Sequence, residues 1–217
     1  MSSYPGSPYV AKGGIVLVHP ETAAIIRIIS LQYNPESLTR SFQPKGAEEE
    51  SGGAAEPLRL KGPPVETLKL EAELDATDDL EAASNDVVAS GIHAQLAALE
   101  TMLYPSGSQL MDNNRKAASG VLEIIPMEAP LTLFIWSKNR ILPVKITEFS
   151  VTEESFDVNL NPVRAKISLG MRVLTVDDLG FDSRGGTVFM NYLRHKEKLA
   201  ASMPQVGLNR LGICNII

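Results

Sequence analysis

From Val163 to Val173 an apolar residue occupies every second position (Val163, Ala165, Ile167, Leu169, Met171, Val173), with Arg164, Lys166, Ser168 and Arg172 between them. Successive side chains of a strand point to opposite faces, so this period of two predicts a strand with one face buried and the other wet. On a helix the same residues would scatter around the circumference. Asn161-Pro162 just upstream is a turn signal, because proline presets φ and asparagine supports tight turns. Before the turn come Leu131 to Ser137, Leu142 to Val151 and Phe156 to Leu160, so the stretch Leu131 to Val176 reads as central strands ending in a long antiparallel hairpin. The first arm of that hairpin changes phase. Its apolar positions are even (Leu142, Val144, Ile146), then odd (Phe149, Val151), then even again (Phe156, Val158, Leu160). Each change needs an extra residue, which predicts bulges near Thr147 to Glu148 and near Glu153 to Ser155.

The chain of 217 residues is long enough for one sizeable core or a core with an appendage, and its 44% apolar and 21% charged composition is that of a soluble globular protein. A formal net charge of -6 argues against nucleic acid as the main partner, since phosphate binding needs clustered Lys and Arg. The single cysteine, Cys214, cannot form an intramolecular disulfide, fits a reducing compartment and has no activating base beside it in sequence. Met1 to Leu17 lacks a basic segment followed by an apolar core, and no apolar run approaches the about 18 residues of a membrane span. Neither signal-peptide secretion nor membrane insertion is expected.

In chain order, residues 1–14 are rich in Ser, Pro and Gly and are expected to form a loose arm. Ile15 to Val18 and Ala24 to Ile29 predict two buried strands joined by a turn over His19 to Thr22. Leu31 to Phe42, which contains a second Asn-Pro at Asn34-Pro35, should make a compact turn and resume as an extended segment. Residues 45–61, with Glu48, Glu49 and Glu50 in a row, bury too little apolar surface to offset ordering and predict a mobile loop. After Gly62-Pro63-Pro64, the alternation of Leu68, Leu70, Ala72 and Leu74 with Lys69, Glu71, Glu73 and Asp75 marks another half-buried strand. A helix over 85–104 is expected from Ile92, Leu96, Leu99 and Leu103, ending before Pro105, with a polar loop from Tyr104 to Ser119. Val121 to Ile125 is expected to lead into the central strands. Residues 177–217 form a C-terminal region: a turn-rich start, a helix N-capped at Thr187 with Val188, Phe189, Tyr192, Leu193, Leu199 and Met203 on one face, a stop at Pro204, and an apolar tail expected to dock.

No chemistry-bearing motif stands out. His19, His93 and His195 share no ligand spacing, and neither a phosphate-binding glycine loop nor a Gly-x-Ser-x-Gly elbow is present. Asp75, Thr77, Asp79 and Asp86 fall at the offsets of a calcium loop, but Leu80 stands where the sharp turn needs glycine, so an acidic turn with helix capping is the expectation. Glu153 and Glu154, as neighbours on a strand, point to opposite faces and make no catalytic pair. The chain is read as a non-enzyme requiring no cofactor and no metal.

Taken in order, Leu31 to Arg40, Gly62 to Asp75, Pro130 to Trp136 and Val144 to Met171 with its Asn-Pro-Val-Arg-Ala turn resemble the tube-protein-like domain of contractile injection systems, as found in the baseplate adaptor between inner tube and spike. The resemblance covers roughly residues 14–176 and implies a mainly β fold, an antiparallel β-sandwich or partial barrel of the phage tail-tube type with a flanking helix. It further implies a hexameric ring around a channel, which joins the inner tube protein to the spike hub protein, initiates the tube and touches other baseplate and sheath-wedge proteins. No membrane insertion is implied. Assembly would be cytoplasmic, in a particle retained there or released. On this reading Lys69, Glu71, Glu73, Arg164, Lys166 and Arg172 face the lumen. Contacts with neighbours would come from Glu48, Glu49, Glu50, Phe189, Tyr192, Leu193, Arg194, Lys198, Leu208 and Leu211. A tube subunit or tube-end cap is the alternative within the class, and a cell-wall glycan-binding module the alternative outside it. Many such adaptors carry a C-terminal peptidoglycan-binding LysM module, but residues 177–217 show no Tyr-x-Val-x-x-Gly-Asp pattern.

Overall fold

The computed structural model describes residues 10–46, 60–77, 91–120, 129–204 and 207–212. Its seven strands are β1 (Gly14–Val18), β2 (Ile25–Ser30), β3 (Leu38–Gln43), β4 (Val65–Asp75), β5 (Leu131–Ser137), β6 (Arg140–Phe156) and β7 (Pro162–Val173). They form one sheet in the order β2-β1-β5-β6-β7-β4-β3, antiparallel at every pairing. The protein is mainly β. Among the described residues four helices accompany the sheet, α1 (His93–Glu100), α2 (Gly107–Ala118), α3 (Val176–Leu179) and α4 (Arg184–Ala201), with a short 3-10 turn at Leu208–Leu211.

The alternation read in β4 and β7 is the alternation of burial. Leu68, Leu70, Ala72 and Leu74 lie inside, as do Ala165, Ile167, Leu169, Met171 and Val173 across the ladder. These residues share one core with Ile15 of β1, Phe134 of β5 and Leu142 of β6, so the sheet curls until the inner faces of its two ends meet. Strand β6 makes the bend. Its start pairs with β5 as far as Val144, its remainder pairs with β7, and just past the changeover the register slips by one residue between Ile146 and Glu148. The bulge expected at Thr147 is therefore present, and opposite it stands Gly170, where a Cβ would come within 2.8 Å of the Cβ of Glu148. The second expected bulge is absent. Glu154 faces Arg164 and Phe156 faces Pro162 in constant register, and the irregularity is confined to Ser155, whose φ is +56°.

Strand β6 also stops earlier than its apolar pattern suggests. Asp157 accepts hydrogen bonds from the Asn159 and Asn161 amides at 2.7 and 2.8 Å and from Asn161 Nδ2 at 2.8 Å, which turns the chain over 157–161. Phe156, Val158 and Leu160, read as strand residues, are exposed on that tip. The Asn34 side chain explains the other Asn-Pro: its Oδ1 accepts from Gly13 N and its Nδ2 donates to Ala11 O, both at 2.9 Å. The last residues of the N-terminal arm are thereby fastened to the body; residues 1–9 lie outside the described residues.

The helices correct several expectations. Of the helix expected over 85–104, residues 85–90 lie outside the described residues and the rest is helical only over His93–Glu100. Ile92, Leu96 and Leu99 are buried, whereas Leu103 is exposed, because the chain tightens after Glu100 into i→i+3 bonds such as Leu103 N to Glu100 O at 2.9 Å. The expected polar loop before Ser119 contains α2, whose capping box joins Ser106 to Gln109. With no buried residue, α2 rests on capping and propensity alone, which apolar periodicity does not reveal. Helix α4 is capped by Ser183 through Gly186 N at 2.9 Å, and not by Thr187. Gly185 and Gly186 belong to its first turn because α3 packs there: a Cβ on Gly186 would lie 2.0 Å from the Gly180 carbonyl oxygen. The stretch 121–128, and with it the approach to β5, lies outside the described residues.

Candidate assembly interface

Ile25 to Ile29 is apolar on both faces, which reads as an interior strand, yet β2 is an edge. Ile25, Ile26 and Ile28 are 62%, 52% and 64% exposed, because only β1 flanks them. At the other end of the sheet β3 pairs only with β4 and leaves Phe42 exposed. Among the described residues neither edge has a strand partner on its outer side. Long uncovered edges carrying exposed isoleucine are templates for pairing with another chain.

Between the edges, cross-strand register collects the six residues expected to face a lumen onto one outer face of β4 and β7. Strand β6 extends the face with Lys145, Glu148, Ser150, Thr152 and Glu154. Opposite charges are neighbours there. Lys69 reaches Glu148 at 3.0 Å, Lys166 reaches Glu154 at 3.0 Å and Arg164 reaches Asp75 at 2.6 Å. Lys69, Lys145, Arg164, Lys166 and Arg172 are matched in number by Glu71, Glu73, Asp75, Glu148 and Glu154, so the face is strongly polar without a net sign. The hydrogen bond to Glu154, with that carboxylate's charge, holds the Lys166 ammonium above its ordinary range. Arg172 is drawn aside to Asp178 in α3. Burial pushes the Asp178 carboxyl up, but its bonds from Arg172 and Thr175 outweigh this and leave it low. The loop Asn34-Pro35-Glu36 overhangs the face and encloses a cavity of about 640 Å³ with Glu71, Glu73 and Lys166 on its wall.

Edge strand β3 is tied inward by a cluster absent from the sequence expectations. Arg40 donates from Nε and Nη2 to Glu66 Oε1 at 2.9 and 2.6 Å, and from Nη2 to the Tyr192 hydroxyl of α4 at 2.7 Å. Glu66 is only 4% exposed. Burial, with the Glu66 carboxylate beside it, pushes the Tyr192 phenol up, so it stays a neutral acceptor. Arg40 and Lys196 both stand over the exposed Phe42 ring, at 4.9 and 5.2 Å. The signal in sequence was weak: Arg40 and Glu66 sit in alternating segments at inward positions, but their mutual register needed the fold.

The residues expected to meet neighbours divide into three groups. Glu48, Glu49 and Glu50 lie outside the described residues; the ends of their loop are closed by a bridge between Gly46 and Leu60 and by Lys45 bonding Asp177 at 2.8 Å. Phe189 and Tyr192 are buried in the chain's own core and anchor α4 there, with Leu193 half-buried beside them. Arg194, Lys198 and Leu211 are exposed, as are Leu199 and Met203 at the end of α4, while Leu208 is half-buried.

Asp75 and His19 have structural tasks. Asp75 is occupied by Thr77 and Arg164, whose bonds hold its carboxyl below the usual range, and Asp79 and Asp86 lie outside the described residues. His19 Nδ1 accepts from the Glu21 and Thr22 amides at 3.3 Å and shapes the β1–β2 turn. Among the described residues no group of three or more His, Cys, Asp and Glu is placed to hold a metal ion, and no helix is long and apolar enough to cross a membrane. No protein-family model and no curated protein matches this chain.

Proposed function

We propose that the chain is a structural ring subunit, the baseplate adaptor that joins the inner tube to the spike hub of a contractile injection system and templates tube assembly. The observation that carries the reading is the open seven-stranded sheet with its uncovered edges β2 and β3. A contact between unlike patches of identical subunits is heterologous, and heterologous contacts close into rings when the rotation permits. Pairing β2 of one copy with β3 of the next would bury Ile25 and Ile28 and continue the sheet around a channel. The polar outer face of β4, β7 and β6 supplies a water-facing wall, and its alternating ion pairs leave it without a charge preference for what passes. Sixfold symmetry and the tube and spike partners come from the sequence resemblance.

The test is to image the purified chain by electron microscopy and weigh it by native mass spectrometry. Hexameric rings are expected, and Ile25→Lys with Ile26→Lys should abolish the rings by placing charge on the edge. A parent chain that stays monomeric, or rings indifferent to the edge lysines, would overturn the reading. Copy number in isolated particles separates an adaptor, present as one ring, from a tube subunit present as many.

A further inference from the structure

The β6–β7 tip is apolar, exposed and rigid at once. Phe156, Val158 and Leu160 are 51%, 98% and 78% exposed, a clustering that isolated surface residues do not show. Beneath them the three bonds to the Asp157 carboxylate are joined by Asp157 N to Asn161 O at 2.9 Å and Leu160 N to Asp157 O at 3.1 Å. Leu160 is held at φ +64°, a conformation costly for a branched side chain, so the turn presents this leucine against its backbone preference. The base of the tip is braced by Ile92 N donating to Pro162 O at 3.0 Å and Ala76 N donating to Val163 O at 2.9 Å.

The same chain carries the converse shape. Where the curled sheet leaves its core open, between β1–β2 and β4–β7 and alongside α1, a cavity of about 540 Å³ is lined by Ile15, Ile28, Leu70, Leu74, Ala94 and Leu99. At its mouth Lys12 is exposed, its ammonium donating to Gln32 O at 2.9 Å. The other charged residue there, Glu73, lies in the field of Arg164 and Lys166. An apolar knob flanked by the carboxylate of Asp157 thus matches an apolar hole rimmed by an ammonium, and the exposure of Val158 and Leu160 shows that a chain does not fill its own hole. We propose that the β6–β7 tip of one copy seats Val158 and Leu160 in this cavity of a second copy, a self-association surface separate from the sheet edges.

Sedimentation velocity over a concentration series tests this on the full chain carrying Ile25→Lys and Ile26→Lys, so that edge pairing does not report. That chain should still associate. Val158→Asp with Leu160→Asp should weaken association at least about tenfold, the effect expected for losing a buried anchor, and Ala94→Trp should do so by filling the hole. Mixing the tip variant with the cavity variant should restore association between unlike copies, since one intact tip then meets one intact cavity. An edge-blocked chain that is monomeric throughout, or that associates equally with and without the tip substitutions, overturns the proposal. If Ala94→Trp loses its native circular dichroism, the tip variant, whose changes lie outside the core, decides alone. Failure of the ring reading appears separately, as a parent oligomer that the edge lysines leave intact.

Discussion

Arg40 and Glu66 show how much one buried pair fixes. Removing the carboxylate would leave a largely enclosed guanidinium with the Tyr192 hydroxyl as its remaining bond partner, so Glu66→Ala should cost about 2–3 kcal/mol in urea unfolding. Replacing both charges, as in Arg40→Leu with Glu66→Leu, should recover part of that loss. Asp75 makes a different statement. Its carboxyl lies below its ordinary value in the fold and near 3.9 in the unfolded chain, so the unfolded state binds the proton more readily. The stability it contributes is complete above about pH 4 and fades as pH falls through the lower, folded value. The stability gap between the parent and Asp75→Asn should therefore be open at pH 6 and close below about pH 4 in denaturation series.

At the scale of elements, α4 is a core component with a free end. Phe189 and Tyr192 bury their rings, and losing a buried aromatic costs about 3–5 kcal/mol. Deleting residues 187–217 removes those rings from the core and should unfold the chain, whereas deleting 203–217 should leave melting behaviour intact. Gly186→Ala should destabilise strongly, since the intruding Cβ meets backbone that cannot move aside. Strands β4 and β7 were legible because period-two burial is written directly in the order of their residues, and the Thr147 bulge because the apolar phase changes there within one strand; the second phase change came instead from the left-handed Ser155 and the turn after it. Strand β2 was misread since Ile-Ile-Arg-Ile-Ile looks the same whether a neighbour chain or the molecule's own core is to cover it. Helix α2 was missed because nothing buries it, although Ser106 and Gln109 stood at capping-box spacing. The cluster around Arg40 required register that only long-range pairing supplies.

For the molecule as a whole, sheet edges with no strand partner among the described residues and an exposed tip leave apolar surface that other copies would cover in the proposed assembly. The chain's aggregation should rise steeply with concentration, and edge lysines should suppress it; light scattering across a concentration series checks this. The tip gives the same idea a sharper form. Leucine at φ +64° is an inferior occupant of position 160, and Leu160→Gly would relieve up to about 1 kcal/mol of backbone strain. A laboratory selection run on heat resistance alone should consequently enrich that glycine and breed a sturdier protein with a blunted tip.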